Sequence, residues 1–572
     1  MDLASRRMPN NPSTVLLEKP EVVTRDLDRL FPFLLLGITL AALVPVLVLG
    51  ASEFISYDGY WHLFIAKQDR WKLFFSEYRK DAHPILYHLA LRVISPLFGC
   101  SRLAYRSASI IPGVASVYLL GRIAGRLCIS KVVALLTAAA YGFSMTMIGI
   151  TIDVRSYPLA LVFVIAALYY LVDFLARTYD ASANRSLILF GTFTSLAIAS
   201  EYYAVFFLVA CLGVLALLWA THPVFRERST EWAIRNWFAP AIALGTPSVV
   251  IAYFYRTHIK YHSISFNHVH EFYWTPGSSR VDFILRNLRA DLNYILPVEI
   301  SSATILLGIL VVFVPLLTYF GLFRKQSHES LAVGVPGLVL LLLLVELIVF
   351  SLLGWYPFGG NDRHQSILFP FLTLTAFILL DRLITYLSVS WLKTGILGAI
   401  AVLITANFSY RWHKTPRRSV ELLTKEYQTF QEKVAPAQAL YVDQFTLIAY
   451  YIQTHDWKWK FRRHFREPDR VDEYDLTSPT GQHLVLLRNI DRWNFDLSKP
   501  EIYQVLLRSL HDAQLTSANM FLVKQVHAHA DPPAIAAEVN RIRKLAADAG
   551  LQVSSLYADN TQAAITFTVG FP

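Results

Sequence analysis

The chain has 572 residues, of which 54% are hydrophobic and only 16% charged, and its mean hydropathy is +0.40. That composition excludes an ordinary soluble globular protein and predicts an integral membrane one. The formal net charge of +10 does not imply nucleic acid, because the lysines and arginines sit mainly in short loops beside apolar stretches, where they set membrane orientation.

The first thirty residues are polar and of mixed charge, with Arg6, Arg7, Lys19, Arg25 and Arg29. A cleavable signal peptide turns apolar sooner, so residues 1–30 are expected to stay as a cytoplasmic tail. The first apolar span is 32–51. Further spans follow at 106–121, 131–149, 157–176, 186–200, 203–220, 238–255, 302–323, 331–354, 365–381 and 394–409, eleven in all. Segment 84–98 is apolar but short, and suits an interfacial or re-entrant position better than a crossing.

The loop charges test this count. Arg122, Arg126 and Lys131 follow span two, Arg177 and Arg185 follow span four, and Arg226, Arg228 and Arg235 follow span six. Arg324 and Lys325 follow span eight, and Arg382 and Lys393 flank the loop after span ten. All fall on the side of the N-terminal tail, as the positive-inside rule requires. An odd number of spans then places residues 411–572 on the opposite, outer side. That side also carries the loops 51–105 and 256–301 and the short links 151–157 and 355–364.

From Arg411 the composition becomes that of a soluble domain. Apolar runs at 438–442, 483–487 and 518–524 read as strands, and 445–455, 500–514 and 533–549 as helices. Strands alternating with helices predict a small α/β domain over 411–572. No phosphate-loop or dinucleotide motif occurs anywhere. The three cysteines, Cys100, Cys128 and Cys211, lie in or beside apolar segments without CxxC spacing, which argues against disulfides and thiolate metal sites.

Candidate chemistry concentrates on the outer side. Asp58 stands among aromatic residues just after the first span, where a carboxylate could act as general base for a hydroxyl. Asp81-Ala82-His83-Pro84 opens the short apolar segment, and a cation or imidazole there could hold a phosphate. Asp153 and Arg155, with Tyr157, sit at the outer end of span three, where charges are costly unless paired or functional. Gly359-Gly360-Asn361-Asp362-Arg363-His364 lies at the mouth of span ten. Its glycines let backbone approach a ligand, and Arg363 could grip a phosphate bidentately, through two of its guanidinium nitrogens. In the long loop, His258 and His262 are four apart, with His268 and His270 close behind. A metal on these histidines is the alternative to a wet polar loop, but HExxH and helical periodicity are both missing.

In order along the chain, SYDGYWH, DAHPILYHLALRVISPLFG, RSASIIPGVASVYLLGR and DVRSYPLAL resemble the N-terminal half of polytopic GT-C glycosyltransferases. The likeness is to bacterial relatives of the dolichyl-phosphate-mannose protein mannosyltransferases and to the lipid A aminoarabinose transferase. It covers residues 50–220, with a weaker echo at 363–370. The resemblance implies a polytopic α-helical GT-C-like membrane domain over 31–410 and an inverting transferase. That enzyme would move a sugar from a polyprenyl-phosphate donor to a glycan, lipid or protein hydroxyl on the outer face of a bacterial inner membrane. It implies Asp58 as the base and His83 beside the donor phosphate. Asp153, Arg155 and Tyr157 would line the cavity, and Arg363 and His364 match the weaker echo. Asp81 is the competing carboxylate, suited to orienting His83. The donor carries its own phosphate leaving group, so neither a nucleotide loop nor a cofactor is required; a divalent metal stays an open alternative. Gly59 departs from the pattern where many relatives carry a second acid, and Ile85 replaces the second proline of HPP. The rival readings are a catalytically inactive binding or assembly subunit, which Gly59 favours, and a lipid-linked sugar transporter, which the lack of internal repeats disfavours.

Overall fold

The computed structural model describes residues 21–414 apart from 54, 69, 80, 82, 99–100, 178–180, 260–272, 296–327 and 360–361. Beyond these it describes 440–442, 460–466, 471–477, 483–489, parts of 500–511, 517–523, 532–558 and 562–569. The long first helix, α1 (Glu21–Ser52), leads into three short ones, α2 (Tyr57–Ala66), α3 (Trp71–Tyr78) and α4 (Ile85–Leu97). Then come α5 (Arg102–Leu127), α6 (Lys131–Gly142), α7 (Met145–Ile152), α8 (Tyr157–Ala176) and α9 (Ala181–Ser200). These are followed by α10 (Ala204–Thr221), α11 (Pro223–Arg235), α12 (Phe238–Thr257) and α13 (Arg280–Ile295). After the next described stretch, α14 (His328–Leu352), come the single turn α15 (Asp362–Gln365), then α16 (Phe369–Tyr386) and α17 (Ser390–Lys414).

Helix starts are written locally. Ser56, Ser101 and Ser130 are N-caps whose hydroxyls accept from the backbone N–H of Gly59, Ala104 and Val133, which satisfies an orphan first-turn donor. Pro158 and Pro370 occupy first-turn positions of α8 and α16, where no N–H is needed.

Among the described residues, eight helices are long and apolar enough to cross a membrane, or nine if a bent pair counts as one span. The expected span 131–149 is that bent pair: α6 and α7 meet at 54° around Phe143 and Ser144. The expected span 186–200 falls inside the helix α9, which is not among the eight. The expected span 302–323 lies outside the described residues. Segment 84–98 forms the short apolar helix α4.

Among the described residues a large apolar cluster runs through the bundle, with Leu35 of α1, Leu120 of α5, Leu161 and Leu168 of α8, Phe207 of α10 and Phe371 of α16 all buried, and a smaller one gathers Val46, Leu49, Ile110, Ile148 and Ile152. By contrast, α17 buries no residue. A bare apolar surface is unfavourable in water but neutral against lipid tails.

The two ends of the bundle differ in chemistry. At one end Arg126 Nη1 lies 3.0 Å from Asp173 Oδ1, and Arg177 Nε lies 2.7 Å from Asp173 Oδ2. Nearby, the backbone N–H groups of Ile129 and Ser130 donate to Asp381, at 2.6 and 3.0 Å. The loops expected to be basic and cytoplasmic after spans two, four and ten thus end together. The opposite end carries the candidate site.

Toward the C-terminus, β1 (Leu440–Val442), β5 (Ser517–Val523), β7 (Gln562–Val569) and β6 (Leu551–Ala558) form one sheet in that order. β1 is parallel to β5 and the other pairs are antiparallel. A second, antiparallel sheet joins β2 (Lys460–Arg466), β3 (Val471–Thr477) and β4 (His483–Asn489). The helix α18 (Pro532–Asp548) ends at Gly550, whose φ is +83°, a left-handed position that glycine fills without strain. The expected strands at 438–442, 483–487 and 518–524 overlap β1, β4 and β5. The charged hairpin β2–β3 has no apolar run to announce it.

Candidate active site

Arg106 fixes the framework of the site. It is among the most buried large side chains. Its Nε–H donates to the carbonyl of Ile152 at the end of α7 (2.6 Å), and Nη1 donates to the carbonyls of Gly50 and Glu53 at the end of α1, the latter at 3.0 Å. Helix C-termini leave carbonyls unpaired and carry partial negative charge, so one guanidinium satisfies both ends. This clamp brings the segment after α1, with Asp58, next to the segment after α7, with Asp153 and Arg155. Ser109, one turn along α5, holds the second segment by its backbone: its Oγ donates to the Arg155 carbonyl (3.1 Å) and accepts the Arg155 N–H (3.4 Å). Tyr87 OH lies 2.7 Å from the same hydroxyl.

Asp58, in the first turn of α2, pairs with Arg155 through Oδ2, and Arg363 Nη1 stands 3.5 Å from the same oxygen. Asp153 Oδ2 lies 3.8 Å from both Arg155 Nε and Arg363 Nη1, while Ser56 Oγ donates to Oδ1 at 2.5 Å. The Arg155 side chain is buried and that of Asp58 is 54% exposed. Two acids and two arginines from three distant parts of the chain therefore share one patch with its carboxylate turned outward. Burial, and next the Arg363 guanidinium, lower Arg155 to about 9, which leaves it charged at neutral pH.

Beside this patch lies a second group. Asp81 is buried, accepts Trp61 Nε1–H through Oδ1 (3.0 Å), and accepts the His83 N–H through Oδ2 (3.2 Å). His83 Nδ1 is 3.2 Å from that same Oδ2, and its Nε2 faces Glu201 Oε2 at 4.0 Å. Burial by itself would lower the His83 imidazole, but Asp81 and then Glu201 outweigh it and hold it up at about 9, so the ring is cationic at neutral pH. Burial would likewise raise Asp81, and the surrounding imidazoles, His83 first, hold it well below the usual carboxylate range. Glu201 also accepts Ser156 Oγ–H and the Tyr202 N–H, which links it to the residue after Arg155.

The predicted residues thus fall into place unevenly. Asp58, Asp153, Arg155 and Arg363 meet directly, and His83 and Asp81 form the adjoining group. Tyr157 stacks on Tyr203 with ring centroids 5.9 Å apart, and its carbonyl accepts Tyr203 OH at 3.4 Å. His364 is held through its carbonyl, which accepts Tyr356 OH at 3.1 Å. Gly359 does have a left-handed φ of +73°, but its Cα faces Asn287 of α13, and an added Cβ would come within 2.5 Å of the Asn287 Cβ. This close approach is to α13, where the sequence suggested a ligand. Nδ1 of His258 meets Tyr202 OH, and its ring stacks on Tyr78 at 4.9 Å. His262, His268 and His270 lie outside the described residues.

Sequence reasoning missed Glu201 and Arg106. Glu201 had one signal, a lone acid in the nearly loopless turn between two apolar helices. Arg106 had a weaker one, an arginine at the very start of an apolar span. Gly59 also acquires a reason: a Cβ there would lie 2.7 Å from Ile55 Cγ2 and 3.0 Å from Val154 Cβ. The start of α2 packs directly on the segment carrying Asp153 and Arg155, so a second acid has no room.

Residues 82–251 match the sequence profile of the dolichyl-phosphate-mannose-protein mannosyltransferase family. The crystal structure of ArnT from Cupriavidus metallidurans in the apo state superposes with a TM-score of 0.52 at 12% identity, covering 95% of this chain and 98% of that one. The same protein bound to undecaprenyl phosphate gives 0.49 at 13% identity, over 93% and 97% of the two chains. The Saccharomyces cerevisiae protein O-mannosyltransferase Pmt1-Pmt2 complex bound to the sugar donor gives 0.31 at 18%, over 43% and 35%. No curated protein sequence matches the chain significantly. The apo ArnT alignment shows a shared fold, and the other two superpose too loosely to add to it. The chain is therefore a membrane protein that resembles GT-C glycosyltransferases in fold and, over 82–251, in sequence.

Proposed function

We propose that the protein is an inverting glycosyltransferase that uses a polyprenyl-phosphate-linked sugar and transfers it to a hydroxyl of a glycan, lipid or protein. The reaction takes place on the outer face of the membrane, with residues 1–30 in the cytoplasm and the 411–572 region on the outer side with Asp58. The observation that carries this reading is the patch itself: an outward-facing carboxylate, Asp58, directly beside the cations Arg155 and Arg363, with the His83 imidazolium in the adjoining group.

Asp58 takes the proton from the acceptor hydroxyl as its oxygen attacks the anomeric carbon. The bond from that carbon to the phosphate oxygen breaks, and the phosphate leaves with the electron pair. Arg363, Arg155 and His83 offset the charge that develops on it. Attack opposite the leaving group inverts the anomeric centre. Asp153 and Glu201 fix Arg155, Ser156 and His83 in position. The fit of Gly59 against Val154 supplies a packing reason for the missing second acid that does not require lost activity.

The test is release of free polyprenyl phosphate from a polyprenyl-phosphate sugar by the purified full-length protein in the presence of an extract of envelope acceptors. Release that depends on acceptor and is lost in Asp58→Asn supports the reading. Acceptor-dependent release that is unchanged in Asp58→Asn rules out this mechanism.

A further inference from the structure

Three ionisable side chains from three separate elements converge at one point behind the Asp58 patch. His62 comes from α2, Asp81 from the turn after α3, and His88 from the first turn of α4. All three are buried. His62 Nδ1 and His88 Nε2 are 3.0 Å apart, and Asp81 Oδ2 lies 3.2 Å from His88 Nε2 and 3.7 Å from His62 Nδ1. We propose that these three atoms hold a divalent cation of the zinc class, at a site that shares Asp81 with His83 but whose evidence does not rest on the transferase reading.

The chemistry of the trio favours a cation at its centre. Two ring nitrogens facing each other at 3.0 Å cannot both carry protons, so at least one lone pair points inward. Asp81 Oδ2, which also accepts the His83 N–H, faces the same space. Polar groups withdrawn from water in this way are kept by hydrogen bonding or by coordinating a metal. The outer nitrogens, His62 Nε2 and His88 Nδ1, are buried without a hydrogen-bond partner among the described residues. The contacts these two rings make through nitrogen are therefore the inward ones.

The triangle also has the right size. A point equidistant from its corners lies about 1.9 Å from each, so an ion slightly out of their plane makes bonds of about 2.0–2.1 Å, the length of zinc–imidazole and zinc–carboxylate bonds. Two nitrogens and one oxygen, with a fourth place for water, form a zinc-type donor set; calcium and magnesium take shells of oxygen. An ion here would pin α2 to α4 and fix the carboxylate that touches His83.

The test uses full-length protein in detergent, stripped with a chelator and titrated with Co2+, then Zn2+. One Co2+ per chain should bind with the intense visible bands of a four-coordinate site and without the thiolate charge-transfer band that Cys128 or Cys211 would give. Zn2+ should displace it and raise the unfolding temperature above that of the stripped protein. His62→Gln and His88→Gln should each lose the spectrum while eluting as monodisperse protein, and His258→Gln and Asp58→Asn should keep it. Because Asp58→Asn tests the transferase reading, a failure of that reading leaves the metal result standing. The proposal is overturned if stripped wild-type protein binds no Co2+ with this spectrum and gains no stability from Zn2+, or if folded His62→Gln and His88→Gln retain the spectrum.

Discussion

Asp58 and Asp81 belong to the same outer stretch and end in opposite settings. The Asp58 side chain is 54% exposed and meets two guanidinium groups; that of Asp81 is 2% exposed and meets an indole and three imidazoles. A substrate can reach the first and not the second. The difference teaches that exposure and the kind of partner, more than acidity, separate a group that can exchange a proton with substrate from one that organises its surroundings.

Exchanging each carboxylate for its amide should give the largest and most clearly separated effects. Asp58→Asn keeps the size of the side chain but cannot accept the proton, so turnover should fall at least about a hundredfold with the apparent unfolding temperature unchanged. Asp81→Asn leaves buried imidazoles facing a neutral amide. Removing one member of a buried charged group costs about 3–5 kcal/mol, which should appear as a large drop in unfolding temperature. Parallel kinetics and thermal unfolding on both variants check this. If Asp81→Asn unfolds normally and abolishes turnover while Asp58→Asn works normally, the two roles must be exchanged.

A smaller effect should come from the cations around Asp58. Arg363 is partly exposed and bridges Asp58 and Asp153, so it can turn to a phosphate without leaving a buried acid alone. Loss of one charge-assisted contact should cost about 1.5–3 kcal/mol, or roughly ten- to hundredfold in donor affinity or turnover. Donor titration and initial rates on Arg363→Ala measure it. Unchanged values would return the residue to an ordinary turn.

Much of the fold could be read from sequence because its signals are local. A run such as 157–176 is apolar over a full membrane thickness, and Ser56, Ser101 and Ser130 each stand within a few residues of the N–H they cap. The break in the span 131–149 was harder to see: Gly142-Phe143-Ser144 interrupts apolar periodicity only slightly, yet it turns α7 through 54° and delivers Asp153 to Asp58. Of the site, Asp153 and Arg155 were visible as costly charges at the outer end of a span, Asp58 as a carboxylate just after the first span, and Arg363 as a cation in a glycine-containing turn. The pairing of Asp81 with His83 was legible too, but the convergence of His62, His88 and Glu201 on that pair was not, because these spacings follow no helix or strand period and only the packing of α2, α4 and α9 brings them together.

Gly59 tests that packing directly. Restoring the acid found in many relatives, by Gly59→Asp, forces a side chain against Ile55 and Val154. Overpacking of this kind costs about 1–3 kcal/mol, so the unfolding temperature should fall and turnover should not rise. Gly59→Ala should show the same loss in milder form. A stable Gly59→Asp protein with increased turnover would mean that the site lacks an acid, and would revive the reading in which Gly59 marks lost activity.

The smallest expected effect separates positioning from chemistry. Ser109 contributes no bond to the charged side chains of the outward-facing patch, yet its hydroxyl holds the backbone of Arg155 and meets Tyr87 OH. Ser109→Ala removes these bonds and leaves the buried Tyr87 hydroxyl with one partner fewer, a net loss of about 1 kcal/mol. If Arg155 serves the donor phosphate, a slackened backbone should raise KM for the donor several-fold while kcat changes less. Ser109→Thr, which keeps the hydroxyl, should recover most of the affinity provided its methyl is accommodated. A loss of thermal stability alone, with KM and kcat unaltered, would confine Ser109 to the scaffold and weaken the case that the placement of Arg155 matters to donor binding.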